Sequence, residues 1–392
     1  MLKCASIFTY EIDEMEVALE ELQKQLDEKI TLLDNTVGII LCHPEFISSG
    51  TLRYLCDNLP FDIAGATTSA QAVNNETGTL MLTLFIMTSD DTRFKTGVTG
   101  ILDENIKETV KEAYENASKG ENGQPRLALL FPPNLYKSSG DDFVKAWHDC
   151  IPATPIFGTL AMDDTPSFVE ESETIYNGET YERAIPFILC YGKINPRFVI
   201  GTLPEEKAMP YRGEITKANG PFVHEINGMS TYRYFESIGF ESEGTSKVNY
   251  FFMPFAIDQK ARPDYDGVPV IRVLDSYVED GSALFHGNVD EGSEFTLIKS
   301  EPADVLATTK EKAEYINNLP DVNGVLLFSC IIRRLVTMNN NTDEEFEMVK
   351  NTLRPDIPFM MGCAGGEICP TLTKNDSPTN RYHNYSLVIL IV

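Results

Sequence analysis

Basic residues are scarce in this chain. Thirty-two Lys and Arg stand against 59 Asp and Glu over 392 residues, a formal net charge of −27. A field of that sign repels phosphate backbones and anionic lipid, and no local basic cluster offsets it, so nucleic acid is excluded as a partner. Long apolar runs are missing too. Nothing approaches the roughly 20 residues of a membrane span, and no membrane insertion is expected. The first residues run into EIDEME with neither a basic start nor an apolar leader, so no secretory signal is expected. Also lacking are GxGxxG, Walker, GxSxG, HExxH and CxxC patterns, which removes the motif-based enzyme classes. Five histidines (His43, His148, His224, His286, His383) leave few members for a His-based triad.

What is there is ordinary for a globular protein: 42% apolar and 23% charged residues, in a length that suits two domains. The acidity reads as solubility in a crowded cytosol. Eight scattered cysteines, most inside apolar runs such as IILC and FILC, read as reduced core thiols of a cytoplasmic protein. Cys363 and Cys369, with His383 beyond, have only a weak metal spacing, and no metal is expected.

Periodicity gives the fold class. Ile12, Met15, Leu19, Leu22, Leu26, Ile30 and Leu33 recur at steps of three and four, which predicts a first helix. VGIILC then predicts a strand buried on both faces. An order of buried strand, loop, helix, proline and glycine-ended apolar run occurs three times, from Val37, Leu127 and Val325 to Gly65, Gly158 and Gly362. SSG precedes the first two helices, and Thr342 with Glu345 forms a candidate capping box for the third. Each copy leads to an apolar antiparallel candidate: TLMLTLFIM, ERAIPFILCYG and YSLVILIV. Asn177-Gly178 predicts a type I′ hairpin turn. Ser300 is the expected cap of a helix from Pro302 to about Leu319. The expectation is an α/β protein of two domains, residues 1–205 and 206–392. Their mixed β-sheets carry helices on the outer faces and are built partly from repeated β-α-β units.

The glycine-ended strands GATTS, GTLAM and GCAGGE put small residues and hydroxyls past strand C-termini, where open α/β sheets bind ligands. Gly65, Thr67 and Thr68 therefore form one candidate rim. The densest constellation lies in the last seventy residues: Ser329-Cys330, Arg333-Arg334, Glu367, His383 and Asn384. An arginine fork suits a carboxylate and a carboxylate suits an ammonium, so Arg333 and Glu367 together would take a zwitterion. Cys330 as a nucleophile would need a depressed pKa, and a buried inert thiol is the commoner case.

These residues resemble a known family. GVLLFSCIIRR, DIPFMMGCAGGEI and YHNYSLVILIV resemble the C-terminal half of FIST sensory domains, and EITKANGPFVHEINGMSTYRYF resembles the start of that half. VGIILCHPEFISSG with LPFDIAGATTS resembles the N-terminal half. The chain departs at Ile-Ile-Arg after FSC, where a glycine commonly precedes the arginine. The resemblance implies an intracellular sensor of a small ligand, with amino acids suspected, haem proposed for some relatives, and protein recognition in eukaryotic F-box relatives. The ligand contacts expected are Cys330, Arg333, Glu367, His383 and Asn384, with Gly65, Thr67 and Thr68 as a second rim. The resemblance covers nearly the whole chain, so the signal is expected to leave through a separate protein such as a histidine kinase or cyclic-dinucleotide enzyme. The expected function is binding of a small polar metabolite, such as an amino acid, without catalysis and without a resident cofactor. The alternatives are a haem-binding sensor and a protein-interaction scaffold.

Overall fold

The structure is a computed structural model and describes residues 1–103, 105–135, 139–163, 172–240, 250–260, 267–338, 342–372 and 378–392. It opens with β1 (Lys3–Thr9), α1 (Met15–Lys29), β2 (Asn35–Cys42), α2 (Glu45–Ser48), α3 (Thr51–Asn58) and β3 (Asp62–Thr67). A hairpin of β4 (Gln71–Val73) and β5 (Glu76–Gly78) precedes β6 (Leu82–Ser89). Next come β7 (Thr92–Val98), α4 (Ile106–Ala117), β8 (Leu127–Leu130), α5 (Gly140–Cys150) and β9 (Ile156–Thr159). The hairpin β10 (Thr174–Tyr176) and β11 (Glu179–Tyr181) then leads to β12 (Pro186–Gly192).

After β13 (Arg197–Gly201) the chain makes a mostly antiparallel excursion. It comprises β14 (Ala208–Asn219), β15 (Phe222–Ile226), β16 (Met229–Ser230), α6 (Thr231–Ser237), β17 (Phe255–Asp258), β18 (Val270–Arg272), β19 (Leu274–Tyr277), β20 (Ala283–Phe285) and β21 (Glu294–Ile298). The chain resumes with α7 (Pro302–Asn317), β22 (Val325–Cys330), α8 (Ile331–Thr337), α9 (Glu344–Thr352) and β23 (Phe359–Ala364). It closes with the hairpin β24 (Glu367–Leu372) and β25 (Pro378–His383), then β26 (Leu387–Ile391).

Three six-stranded sheets share one strand plan. Each holds a parallel pair: β2 with β3, β8 with β9, and β22 with β23. On one side an antiparallel apolar strand (β6, β12 or β26) adjoins each pair, and β1, β7 or β13 lies beyond it. On the other side sits a hairpin drawn from a distant stretch of chain. β4 and β5 join β23, β10 and β11 join β3, and β24 and β25 join β9. Segments on either side of the expected boundary at 205 and 206 thus share sheets. A fourth sheet, of eight strands, belongs to the excursion.

Alternation along the strands explains the packing. Val37, Ile39 and Leu41 join Leu127, Leu129, Leu326 and Phe328 in a common central core. Their neighbours point the other way: Ile40 packs with α1 and α3, Leu130 with α4 and α5, and Leu327 with α7 and α9. A strand with two buried faces needs apolar residues at every position, as in VGIILC. The protein is therefore a mixed α/β fold whose sheets face one another inside and carry helices outside.

Local chemistry agrees at some ends and not at others. Asn177 and Gly178 take positive φ of 49° and 80°, the hairpin geometry expected of that pair. Ser139 caps α5 with Asp142 in a capping box, while Ser138 of the same SSG lies outside the described residues. Two expected caps are corrected. α9 begins at Glu344 without a Thr342–Glu345 box, because the Glu345 carboxylate turns inward to an arginine. α7 is boxed by Glu301 and Asp304, while the Ser300 hydroxyl bonds that of Tyr385 at 2.6 Å.

One buried clamp fixes the excursion to the body. The Arg272 guanidinium, fully buried, donates to both oxygens of Asp141 at 3.1 and 3.0 Å and to the Tyr382 carbonyl. Asn288 adds its main-chain and side-chain N–H groups to Asp141 and Asp142.

Candidate functional site

β22 ends at Cys330, which is the N-cap residue of α8. Beside it β23 runs out through Ala364 into Gly365 and Gly366. Gly366 holds φ at 148°, and a Cβ there would stand 2.1 Å from the Tyr382 hydroxyl, so only glycine fits. β24 then starts with Glu367. Past the ends of this parallel pair lies a cavity of about 70 Å³. Its polar lining is Asn134, Asp275, His286 and Asn384, and its apolar lining is Met162, Phe251, Ile331, Ile332 and Leu335, with Cys330 and Gly365 completing it. Phe251, Asp275 and His286 come from the excursion and the rest from the three-sheet body. The cavity therefore sits between two packed units, at the strand ends where α/β sheets favour ligands.

Burial governs the electrostatics. Cys330 is 2% exposed; its sulfur receives main-chain N–H bonds from Ile332 and Tyr385, yet burial still pushes its thiol well above the ordinary range. Glu367 is fully buried behind it. Burial raises that carboxyl well above the usual range, against the smaller opposing pull of the Ser386 N–H, the Cys330 thiol and the Arg333 charge. Burial thus favours the protonated form of both groups. Glu367 Oε2 accepts from Ser386 N at 3.2 Å, while Oε1 has no partner. Asn384, 2% exposed, donates Nδ2 to the Tyr382 hydroxyl at 3.1 Å and leaves Oδ1 unpartnered.

The other residues expected at the site go elsewhere. Arg333 is fully buried but turned away from the cavity lining. Its Nε and Nη2 reach Glu345 Oε1 at 3.0 and 2.6 Å, and Nη2 also reaches the Thr309 hydroxyl at 2.8 Å. His383 lies on β25, where Nε2 meets the Cys369 carbonyl at 2.9 Å; burial lowers its pKa to about 4, so the ring is neutral. Gly65 is packed inside its sheet, where a Cβ would fall 1.8 Å from the Ile40 carbonyl oxygen. Thr67 bonds the main chain of Glu173, and Thr68 the carbonyls of Ala70 and Cys363. Of the eight candidates, the structure gathers Cys330, Glu367 and Asn384 at the cavity and its back wall.

Sequence reasoning missed Phe251, Asp275 and His286. SALFHG and LDSYV read there only as strands between turns, and nothing local tells that their ends face Cys330. A wider cleft of about 590 Å³, over the Arg272–Asp141 clamp, is lined by Asp141, Lys145, His148, Asn288 and Arg381 among others, and includes none of the eight candidates. Among the described residues, no group of three or more His, Cys, Asp or Glu is arranged to hold a metal ion. A haem does not fit the small cavity. A void of roughly 150 Å³ takes only a benzene ring, and this one is half that size.

Comparison with protein families decides the assignment. A FIST N domain profile matches residues 36–229, and a FIST C domain profile matches residues 232–370. The chain belongs to the FIST family. FIST domains are sensory domains of signalling proteins, and both halves of the FIST pattern are present here, N-terminal then C-terminal. Cys330 and Glu367 fall within the FIST C match, and His383 and Asn384 follow it. No curated protein is significantly similar to the chain. Among the described residues of this FIST protein, no helix is long and apolar enough to cross a membrane.

Proposed function

We propose that this FIST protein senses a small polar metabolite by binding it, unchanged, in the cavity at the ends of β22 and β23. One observation carries the reading. The cavity lies between the three-sheet body and the excursion, and Asn384, one of its lining residues, holds a buried side-chain carbonyl oxygen without a partner. A buried acceptor without a donor costs about 1–3 kcal/mol, which a ligand N–H or O–H would recover. A ligand touching both units favours their closed arrangement, and that differential affinity is what a sensor transmits. Binding without chemistry is supported by the state of Cys330. Its thiol is raised by burial, and the nearest buried histidine in sequence, His383, is committed to the Cys369 carbonyl.

An amino acid remains in the class to be tested, although Arg333, the expected carboxylate fork, serves Glu345 instead. The partner in this reading is a separate signalling protein, such as a histidine kinase or cyclic-dinucleotide enzyme, in the cytoplasm. Eight free cysteines, seven of them buried, suit that reducing compartment. The test is a thermal-shift screen against amino acids and small metabolites. A ligand at a hundred times its dissociation constant adds about 2.7 kcal/mol, a rise of roughly 5–10 °C. The rise should vanish in Asn384→Leu. A flat panel, or hits indifferent to that substitution, would overturn the reading.

A further inference from the structure

The two walls of the cavity belong to units that are joined at one place. Among the described elements the chain passes between the body and the excursion twice, at residues 202–207 and 299–301. The two passages run side by side: Ala208 stands opposite Ile298, and the Lys299 N–H donates to the Lys207 carbonyl at 3.1 Å. The clamp of Arg272, Asp141 and Asn288 lies away from this junction. Arg272 ends β18, the edge strand, and stands opposite Phe255 on β17, which stands opposite Leu297 on β21. Two strand spacings, roughly 10 Å, thus separate clamp from junction within the excursion's sheet. The cavity occupies the span between them. Phe251 adjoins Phe252, whose carbonyl accepts from Ser300 at the junction, while Asp275 and His286 lie within three residues of Arg272 and Asn288. On the body side, Arg272 Nη1 donates to the Tyr382 carbonyl at 3.3 Å, and the Tyr382 hydroxyl holds the Asn384 amide. Ile271 and Val273, on either side of Arg272, share an apolar cluster with Met162, Cys330 and Ile331 of the body, so the closed arrangement is the resting one.

We propose that the excursion is a lid over the ligand cavity, hinged at residues 202–207 and 299–301 and latched by Arg272 on Asp141. This rests on the reading of the cavity as the ligand site and adds how access to it is controlled. Opening returns Arg272 and Asp141 to water and uncovers Cys330, which lines the cavity at 2% exposure. A ligand touching both walls holds the latch shut, so its presence is read as the position of the excursion.

Cys330 reports the opening without any ligand. Peptide-resolved maleimide labelling over a low-urea series compares it with Cys190, which is fully buried in the central core of the body. Cys330 is expected to label faster than Cys190 and with a shallower urea dependence, the mark of a sub-global opening. Asp141→Asn keeps the side-chain shape and removes the charge that Arg272 binds, so Cys330 labelling without urea should rise at least about tenfold. Asn288→Ala removes only the side-chain bond to Asp142; this gentler variant should raise the rate about threefold. Equal rates and urea slopes at Cys330 and Cys190 would mean that the cavity opens only by global unfolding, and would overturn the lid. A shallow opening whose rate is unchanged in both variants would overturn the latch. Neither outcome bears on the ligand reading, which stands or falls on the thermal-shift screen and Asn384→Leu.

Discussion

Arg333→Met separates a ligand role from a structural one. Arg333 and Glu345 are both fully buried. The Glu345 carboxylate receives Arg333 Nε at 3.0 Å and Nη2 at 2.6 Å, the Thr309 hydroxyl at 2.6 Å, and the Ser329 hydroxyl at 2.7 Å. Methionine fills much of the arginine volume but removes the cation, leaving a buried carboxylate with two hydroxyls. Removing one partner of such a pair costs about 3–5 kcal/mol, chiefly the desolvation of the charge left behind. At about 2–4 °C per kcal/mol for domains near 200 residues, the melting temperature should fall by about 6–20 °C. The double variant Arg333→Met with Glu345→Leu removes the stranded charge and should regain at least half the loss. Urea unfolding followed by circular dichroism gives both numbers. A single variant within 1 kcal/mol of the parent, or a double variant as unstable as the sum of the two singles, would refute the reasoning. Cavity ligands should bind the folded single variant with unchanged affinity, since Arg333 does not line the cavity.

Glu367 gives a pH signature. Its folded carboxyl holds its proton at pH values where the unfolded chain, titrating near 4.3, has lost its own. The folded state binds more protons in that window, so this residue makes stability fall as pH rises, by up to about 1.4 kcal/mol per pH unit. Glu367→Gln keeps the shape and cannot ionise; its stability relative to the parent should therefore grow from about pH 4.3 upward, and parallel curves would count against a buried neutral acid. Cysteine labelling makes the third check. Cys150 is half-buried and the other seven cysteines are buried, so a maleimide should label Cys150 first and Cys330 only on the timescale of opening. Fast, selective modification of Cys330 at neutral pH would instead favour a nucleophilic enzyme.

How far the sequence reached follows from what local pattern encodes. VGIILC, LALLF and VLLFS are apolar at successive positions, which only a doubly covered strand requires, and all three became the first strands of parallel pairs. Asn177-Gly178 announced its own turn through the φ angles it tolerates. Partner choice is different. Whether β4 and β5 pair beside β3, their neighbour in the chain, or beside β23, some 280 residues away, depends on which edge the whole assembly leaves open. The candidate site divides on the same line. Cys330 was legible because it ends a buried strand, Glu367 because it opens one just after Gly365-Gly366, and Asn384 because the HN pair before the closing apolar strand matches the family pattern. Arg333 looked equivalent from its position just past a strand end. Its fate was set by Glu345, one helical face away on α9, whose carboxylate the sequence offered equally well as a cap. A charged residue next to a pocket in sequence is thus a weak guide when a second buried charge of opposite sign competes for it. The unpartnered carbonyl of Asn384 is the stronger pointer, because folding satisfies buried polar atoms wherever the chain can supply a donor. Among the described residues none is supplied, which is what the proposed ligand would provide.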